Sequence, residues 1–343
     1  MSRINIPYRT RRLLKRIASV LLVLVVLGLV VWAGWVLWLG RYVVYTRDQG
    51  AMLDFSHANT DMQGQPALEP TEGQTIPIYY NEGDNAISTS TELTQLNGFY
   101  ISLEMLEKSN PDSLISQLSQ LPPETPILLD VKSIKGNFVY SSSVSTQRNG
   151  QLDIEGMDRL IKFINGRFTY TIARMPALRD FHYGLDHVSD GLPTAGGYLW
   201  IDSDSCYWLS PTSEGTRNYL TAILSELKKL GFDEVVLYDF YFPATDQIVY
   251  NQDKTAALEQ TAQYLVDNCT GSNFAVSFVQ KTKFAMPQGR SRMYLENIPA
   301  AEAAKAAKES GMENTPVNLV FLTDLHDTRF DSYGVLRPLS IAR

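Results

Sequence analysis

The stretch TRNYLTAILSELKKLGFDEVVLYDFYF, residues 216–242, contains an amphipathic run of helical length followed by an apolar run of strand length. Its second part, EVVLYDFYF, is almost continuously apolar, which is typical of a strand covered on both faces. An amphipathic helix that leads directly into such a strand indicates a parallel β–α unit.

The same alternation extends on both sides of this stretch, over residues 97–327. Strand-length runs include PILLDVKS, NFAVSFV and VNLVFLTDL, and helical runs include DIEGMDRLIKFI and KTAALEQTAQYLVDN. These residues lack the phosphate-binding patterns GxGxxG and GxxxxGK[ST], so a TIM-type (β/α) barrel is favoured over a dinucleotide-binding sheet. Seven strands are identifiable, with RMYLENI at 292–298 among the weaker ones, and an eighth is expected to be irregular or missing.

Composition excludes several classes of protein. The chain has 343 residues, a formal net charge of −7 and a pI of about 5.2, which argues against a binder of nucleic acid. Two cysteines cannot form a disulfide scaffold, and whether Cys206 and Cys269 pair or remain thiols is open. His182 and His187 lie five residues apart, off the spacing of a helical metal pair, so neither a metal nor a cofactor is expected.

Charge and hydropathy divide the N-terminal third of the chain. Residues 17–39 read IASVLLVLVVLGLVVWAGWVLWL, long enough as a helix to cross ~30 Å of hydrocarbon. Residues 1–47 carry eight Lys or Arg and no acid, so the positive-inside rule predicts a cytoplasmic N-terminus and an extracellular body. A cleaved signal peptide is the alternative, but its apolar region would span only ~7 to 15 residues and end at a small-x-small site.

The predicted organisation therefore has five parts. A basic cytoplasmic tail (1–16) precedes a transmembrane helix (17–39) in contact with the lipid bilayer, and a polar extracellular stalk (40–96) contains a short strand near 76–80. The barrel (97–327) follows, and a C-terminal tail (328–343) either closes the bottom of the barrel or packs on its first helix.

The candidate site residues are those at the carboxyl ends of the predicted strands, where a (β/α) barrel builds its active site. The catalytic candidates are carboxylates: Glu104, Asp130, Asp239 and Asp324. The candidates for substrate binding are Lys132, Arg174, Asp180, Tyr238, Tyr241 and Trp208. Paired carboxylates suit hydrolysis of a glycosidic bond, although acids at strand ends also cap helices or pair with bases, and Trp208 fits a core position better than a sugar-binding one.

Four blocks resemble the bacterial "putative glycosyl hydrolase domain", a family of unknown function with a glycosidase-like TIM barrel. They read ILLDVKSIKGNFVYSS, YTIARMPALRD, YWLSPTSEGTRNYL and LGFDEVVLYDFYFP, and their order and spacing agree over about residues 97–280. The resemblance implies a barrel distantly similar to those of α-amylase-type enzymes, with an Asp on the fourth strand as the nucleophile.

This chain departs from the family pattern at that Asp. The family's Asp falls on Tyr238 and its Arg on Tyr241, while Asp239 lies one residue later. A shift of one residue reverses the face of a strand, so Asp239 reaches the site only if a bulge or strand end redirects it. The fifth strand, which tends to read S-A-D-V-F-G in the family, has no acid here between Ser277 and Gln280.

Two functions remain open on the sequence. The first is a membrane-anchored extracellular glycoside hydrolase acting on a polysaccharide or cell-envelope glycan, with Asp239 as nucleophile and Asp130, Glu104 or Asp324 as acid. The second is a catalytically inactive barrel that binds carbohydrate or organises the envelope. The sugar, the linkage, the stereochemical outcome and the oligomeric state are not determined by the sequence.

Overall fold

The computed structural model describes residues 43–46, 50–53, 93–312 and 315–339. The predicted membrane span at 17–39 and the predicted strand near 76–80 lie outside these residues. Within them, no helix has the length and apolar character needed to cross a bilayer. In the N-terminal unit, β1 (Val43–Thr46) and β2 (Gly50–Leu53) form an antiparallel pair.

The second unit, from residue 85 onward, contains a closed barrel of eight parallel strands. In chain order they are β3 (Asn97–Ile101), β4 (Ile127–Asp130), β5 (Thr171–Pro176), β6 (Glu234–Tyr238), β7 (Ala275–Val279), β8 (Met293–Glu296), β9 (Leu319–Leu322) and β10 (Gly334–Pro338). Each strand pairs with its neighbours in sequence, and β10 pairs with both β9 and β3, which closes the cylinder. The predicted TIM-type barrel is confirmed.

The expectation of an irregular or missing strand is wrong. The eighth strand is β10, which lies within residues 328–343, the segment that the sequence analysis assigned to a tail. Its five residues, GVLRP, begin with glycine and end with proline, so their composition gave no strand signal. Pairing on both sides, rather than intrinsic propensity, stabilises this strand.

The helices follow the strands and cover the outside of the barrel. They are α1 (Leu103–Lys108), α2 (Pro111–Leu118), α3 (Ile154–Arg167), α4 (Phe181–Asp186), α5 (Glu214–Leu230), α6 (Lys254–Cys269) and α7 (Ala303–Glu309). Helix α5 ends at Leu230 and is capped by Gly231, whose φ of 99° lies in the left-handed region and whose N–H donates to the carbonyls of Leu227 and Lys228. This cap lets the chain leave α5 and enter β6 within four residues.

Two apolar layers cover the two faces of the barrel sheet, one outside the cylinder and one inside it. The outer layer joins strand residues such as Leu129, Val235 and Phe278 to the buried faces of the helices. The inner layer contains Leu128, Ile172, Val236, Tyr294, Val320 and Leu336. Because side chains alternate along a strand, this inner set also fixes which later residues point into the lumen at the top of each strand.

A buried polar cluster closes the amino-terminal end of the lumen. Glu234 and Arg292 have no exposed surface, and their side chains approach to 3.4 Å. The hydroxyls of Tyr170 and Tyr294 donate to the Glu234 carboxylate at 2.7 and 2.9 Å. Arg292 also donates to the carbonyl of Thr94 at 2.7 Å, which fastens the segment before β3 to the base of the barrel.

Candidate active site

Four inward-facing residues form a polar layer at the carboxyl end of the barrel. Asp130, Arg174, Tyr238 and Glu296 each lie two residues beyond an inner-layer residue of β4, β5, β6 and β8. The two-residue period therefore directs all four side chains toward the lumen. Because β5 and β8 are three strands apart in the barrel, contacts between them cross its mouth.

Arg174 joins two of these carboxylates. Its Nε and Nη2 donate to the two oxygens of Asp130 at 2.6 and 3.0 Å, and its Nη1 donates to Glu296 Oε1 at 2.6 Å. Asp130 also accepts from the backbone N–H of Leu103 at 2.8 Å. Burial by itself lowers the pKa of Arg174, but the charges and hydrogen bonds of Asp130 and Glu296 more than offset this and raise it above its usual value. The guanidinium is therefore a fixed positive charge at the centre of the mouth.

Tyr238 lies beside this charge, with the Arg174 guanidinium 5.3 Å from the centroid of its ring. Burial raises the pKa of Tyr238 well above its usual value, and the nearby Asp130 charge raises it further. A phenol that stays protonated is a poor nucleophile, so this residue does not replace the Asp of the family pattern in that role.

The neighbouring acid, Asp239, leaves the strand geometry. Strand β6 ends at Tyr238, and Asp239 has a φ of 51°, in the left-handed region that non-glycine residues rarely adopt. This change of backbone is the kind of redirection that the sequence analysis required for Asp239 to reach the site. Its Oδ2 lies 3.7 Å from Nη1 of Arg179.

The environment of Asp239 favours the protonated acid. Burial raises the pKa of Asp239, whereas the positive charges of Arg179 and Lys281 oppose the rise and the negative charge of Glu296 adds to it. Asp239 and Glu296 therefore influence one another across the mouth, although they come from β6 and β8.

Arg179 is held in place by the long segment between β5 and β6. Its Nε donates to Asp202 Oδ2 at 2.6 Å, and Nη2 pairs with Asp204. The indole N–H of Trp208 donates to the same oxygen of Asp202 at 2.9 Å, and the Arg179 guanidinium lies 5.8 Å from the Trp208 ring. Trp208 is only 3% exposed, so it supports this arrangement as a core residue.

Tyr241 lies against Trp208, with ring centroids 4.9 Å apart. Lys281, which follows β7, donates to the Tyr241 hydroxyl at 3.0 Å and stands 4.6 Å from the centroid of its ring. Tyr241 and Lys281 thus extend the site from Asp239 toward β7.

The remaining sequence candidates are dispersed. Glu104 lies on α1 with its side chain 75% exposed and pairs with Lys108. Asp324 follows β9 and is exposed. Its charge affects the pKa of Tyr100, as do the charges of Arg174, Glu296 and Asp130, so Asp324 lies near the mouth.

Lys132 and Asp180 form a separate buried pair. Lys132 Nζ lies 2.6 Å from Asp180 Oδ2, and neither side chain has any exposed surface. Asp180 also caps α4 and accepts from the hydroxyl of Tyr219 at 2.9 Å. With no accessible surface, this pair stabilises the loops after β4 and β5 and has no route to a substrate in this conformation.

Glu296 is a site residue that was not among the sequence-based candidates. RMYLENI was one of the weaker predicted strands, and its acid, which is the last residue of β8, was not predicted to lie at the carboxyl end. Counting two residues beyond the inner-layer position of Tyr294 would have found it.

No group of three or more His, Cys, Asp or Glu side chains within the described residues is arranged to hold a metal ion. Cys206 and Cys269 are both buried free thiols.

Several solved structures resemble the chain at low identity. One is a hypothetical protein from Ruminiclostridium thermocellum, with 17% identity and a TM-score of 0.43 over 53% of this chain and 96% of that one. Another is the glycoside hydrolase domain of PelA from Pseudomonas aeruginosa, with 12% identity and a TM-score of 0.46 over 72% of this chain and 96% of that one. The chain spans 41% of a third, a GH20 exo-β-N-acetylglucosaminidase from Vibrio harveyi (11% identity, 67% of this chain, TM-score 0.45). No curated protein matches the sequence.

Assignment to a family rests on a sequence match that covers more than half of the chain. The matched residues, 98–281, run from β3 to just beyond β7 and so contain Asp130, Arg174 and Asp239. The chain belongs to the "putative glycosyl hydrolase domain" family.

Proposed function

We propose that the barrel hydrolyses glycosidic bonds of a polysaccharide or cell-envelope glycan, with Asp239 as the proton donor and Glu296 as the second carboxylate. The observation that carries this proposal is the contrast between the two groups. Burial raises the pKa of Asp239, whereas the Glu296 carboxylate pairs with Arg174 at 2.6 Å. Two carboxyl groups in such different environments are what acid-assisted glycoside hydrolysis requires.

The roles follow from accessibility and charge. Asp239 protonates the leaving glycosidic oxygen, and Glu296 attacks the sugar or activates a water molecule on its opposite face. Asp130, with its side chain 6% exposed compared with 28% for Glu296, orients Arg174 instead of reacting. The role of Asp239 here differs from the sequence-based expectation, in which it was the nucleophile. A carboxyl group with a raised pKa is better suited to donate a proton than to attack as a nucleophile.

The test compares Asp239→Asn and Glu296→Gln with the unmodified chain, first on a panel of polysaccharides and then on aryl glycosides of the sugar that is cleaved. Loss of a proton donor should lower kcat on the polysaccharide by about 10²- to 10⁴-fold. Asp239→Asn should retain activity on a dinitrophenyl glycoside, whose leaving group needs no proton, whereas Glu296→Gln should lose activity on both. Equal losses of Asp239→Asn on both substrates would contradict the assignment.

The alternative is a barrel that binds glycans without cleaving them. It is supported by Tyr238, which occupies the inward position where the family pattern places an Asp. Under this alternative the panel shows no turnover, and the full chain binds a glycan equally well with Asp239 or Asn at position 239.

We also propose that residues 17–39 anchor the barrel outside the cell, with residues 1–16 in the cytoplasm. Eight bases and no acid in the first 47 residues support this topology. External protease should remove the barrel from intact cells, and protection of the barrel until lysis would refute this topology.

A further inference from the structure

The long segment between β5 and β6 forms a short antiparallel ladder beside the mouth. Pro193 bridges to Leu199, Ile201 bridges to Tyr207, and Thr194 bridges to Ile248 in the segment after β6. Tyr198 and Trp200 flank the bridged residue Leu199, and the backbone bends at Tyr198.

Four aromatic residues beside the candidate acid, Tyr198, Trp200, Trp208 and Tyr241, make up what we name the aromatic ledge. Arg179, which contacts Asp239, stands over Trp208. The ring centroid of Trp208 is 6.4 Å from that of Trp200 and 4.9 Å from that of Tyr241. Trp208 therefore connects Arg179 and Tyr241, at the mouth, with Trp200, and Tyr198 precedes Trp200 by two residues in the chain.

Exposure increases along the aromatic ledge. Trp208 is buried, Trp200 and Tyr241 are half-buried, and Tyr198 is 79% exposed, the most exposed of the large apolar side chains in the described part of the chain. Aromatic rings that reach solvent together beside a candidate catalytic carboxyl form the kind of surface that marks a ligand-binding site.

The edges of the aromatic ledge are polar. The indole N–H of Trp200 donates to Gln247 Oε1 at 3.0 Å, and the hydroxyl of Tyr241 accepts from Lys281 at 3.0 Å. Apolar ring faces bordered by amide and ammonium groups match a sugar ring, which has apolar C–H faces and hydroxyls around its edge.

We propose that the accessible rings of the aromatic ledge, Tyr198, Trp200 and Tyr241, bind consecutive sugar units of a polysaccharide, so that the enzyme acts on an internal bond of a polymer instead of a terminal sugar. This inference rests on the proposed function for the position of the cleaved bond, but glycan binding by the ledge can be measured without catalysis. Binding energy from these remote units is used to position the reacting unit beside Asp239 and Glu296.

Binding is tested by affinity electrophoresis of the full chain in non-ionic detergent, through gels that each contain glycol chitin, hydroxyethyl cellulose, laminarin or galactomannan. The chain should be retarded by at least one polymer, and Tyr198→Ala and Trp200→Ala should each weaken that binding by about fivefold, the scale of one aromatic contact. Tyr198 is so exposed that its replacement leaves the fold intact. Tyr264→Ala is the matched control, because Tyr264 is a half-exposed tyrosine on α6 beside Arg217.

The outcomes separate this proposal from the proposed function. Retardation that depends on Tyr198 and Trp200 supports the aromatic ledge even if no polymer is cleaved, in which case only the hydrolase proposal fails. Retardation that is unchanged in both variants, or no retardation by any polymer, overturns the ledge. If a polymer is cleaved, Tyr198→Ala should lower kcat/KM on the polymer about fivefold and leave kcat/KM on its aryl glycoside unchanged, and equal losses on both would overturn the proposal.

Discussion

Replacing Arg174 with methionine tests whether the mouth of the barrel depends on one guanidinium. Arg174 donates three hydrogen bonds of 2.6 to 3.0 Å to Asp130 and Glu296, and Asp130 is almost fully buried. Methionine approximates the volume of the arginine stem but leaves both carboxylates without their cation. Removing one partner of a buried ion pair costs about 3 to 5 kcal/mol, because the remaining charge is not compensated.

That free energy should appear as a large change in thermal stability. For a domain of this size, 1 kcal/mol lowers Tm by about 2 to 4 °C, so Arg174→Met should lower it by about 6 to 20 °C. The assay is thermal unfolding of the full chain by circular dichroism at neutral pH.

The control is Arg159→Met. Arg159 also lies near two acids, Asp112 at 3.6 Å and Asp153 at 3.9 Å, but its side chain is 55% exposed. An exposed pair is worth less than about 1 kcal/mol, so the control should change Tm by no more than about 4 °C. If Arg174→Met and Arg159→Met have equal effects, burial does not strengthen the network and the reasoning is refuted.

Two further changes test the acid and the close packing of the barrel. The stability of Asp239→Asn relative to the unmodified chain should increase as the pH rises above about 3.8, because the raised pKa of Asp239 means that its ionisation opposes folding. The measurement is the free energy of urea unfolding of both proteins from pH 3.5 to 7, and a difference between them that does not change with pH would contradict this. Gly98→Ala should cost about 1 to 3 kcal/mol, because its Cβ would lie 2.0 Å from the carbonyl oxygen of Pro126, whereas Gly150→Ala, which meets nothing within 4 Å, should leave urea unfolding almost unchanged.

The barrel could be predicted where the periodic signals were long. Helix α5 and strand β6 together span residues 214–238, enough for the apolar pattern to show both period and burial. Strand β10 could not be predicted from its five residues, because its pairing partners, β9 and β3, are supplied by the closed barrel. Closure is a property of all eight strands, and no local pattern reports it.

The direction of a side chain toward the lumen was predictable where a strand continues to its polar residue. Asp130 is the last residue of β4 and keeps the inward alternation that begins at Leu128. Lys132 lies two residues farther on, where the strand has ended and the chain turns into a loop, so its side chain meets Asp180 outside the lumen. The two-residue period of side-chain direction applies only inside a strand, and the residue at which a strand ends is the hardest feature of that strand to predict from sequence.

The placement of Tyr238 and Asp239 also determines how deeply a sugar can enter. Tyr238 fills the inward position above Val236, and the Arg174 guanidinium lies beside its ring, so the lumen below this level is closed. Three of the five N–H groups of Arg174 are occupied by Asp130 and Glu296, which leaves it a positioning group for the carboxylates and at most a minor contact for substrate. Under the proposed function, the reacting bond lies above Arg174, at the level that Asp239 reaches because its backbone turns out of the strand. The displacement of the acid by one residue and the left-handed φ at Asp239 are thus two parts of one arrangement, which places the proposed proton donor at the rim of the barrel, next to the aromatic ledge.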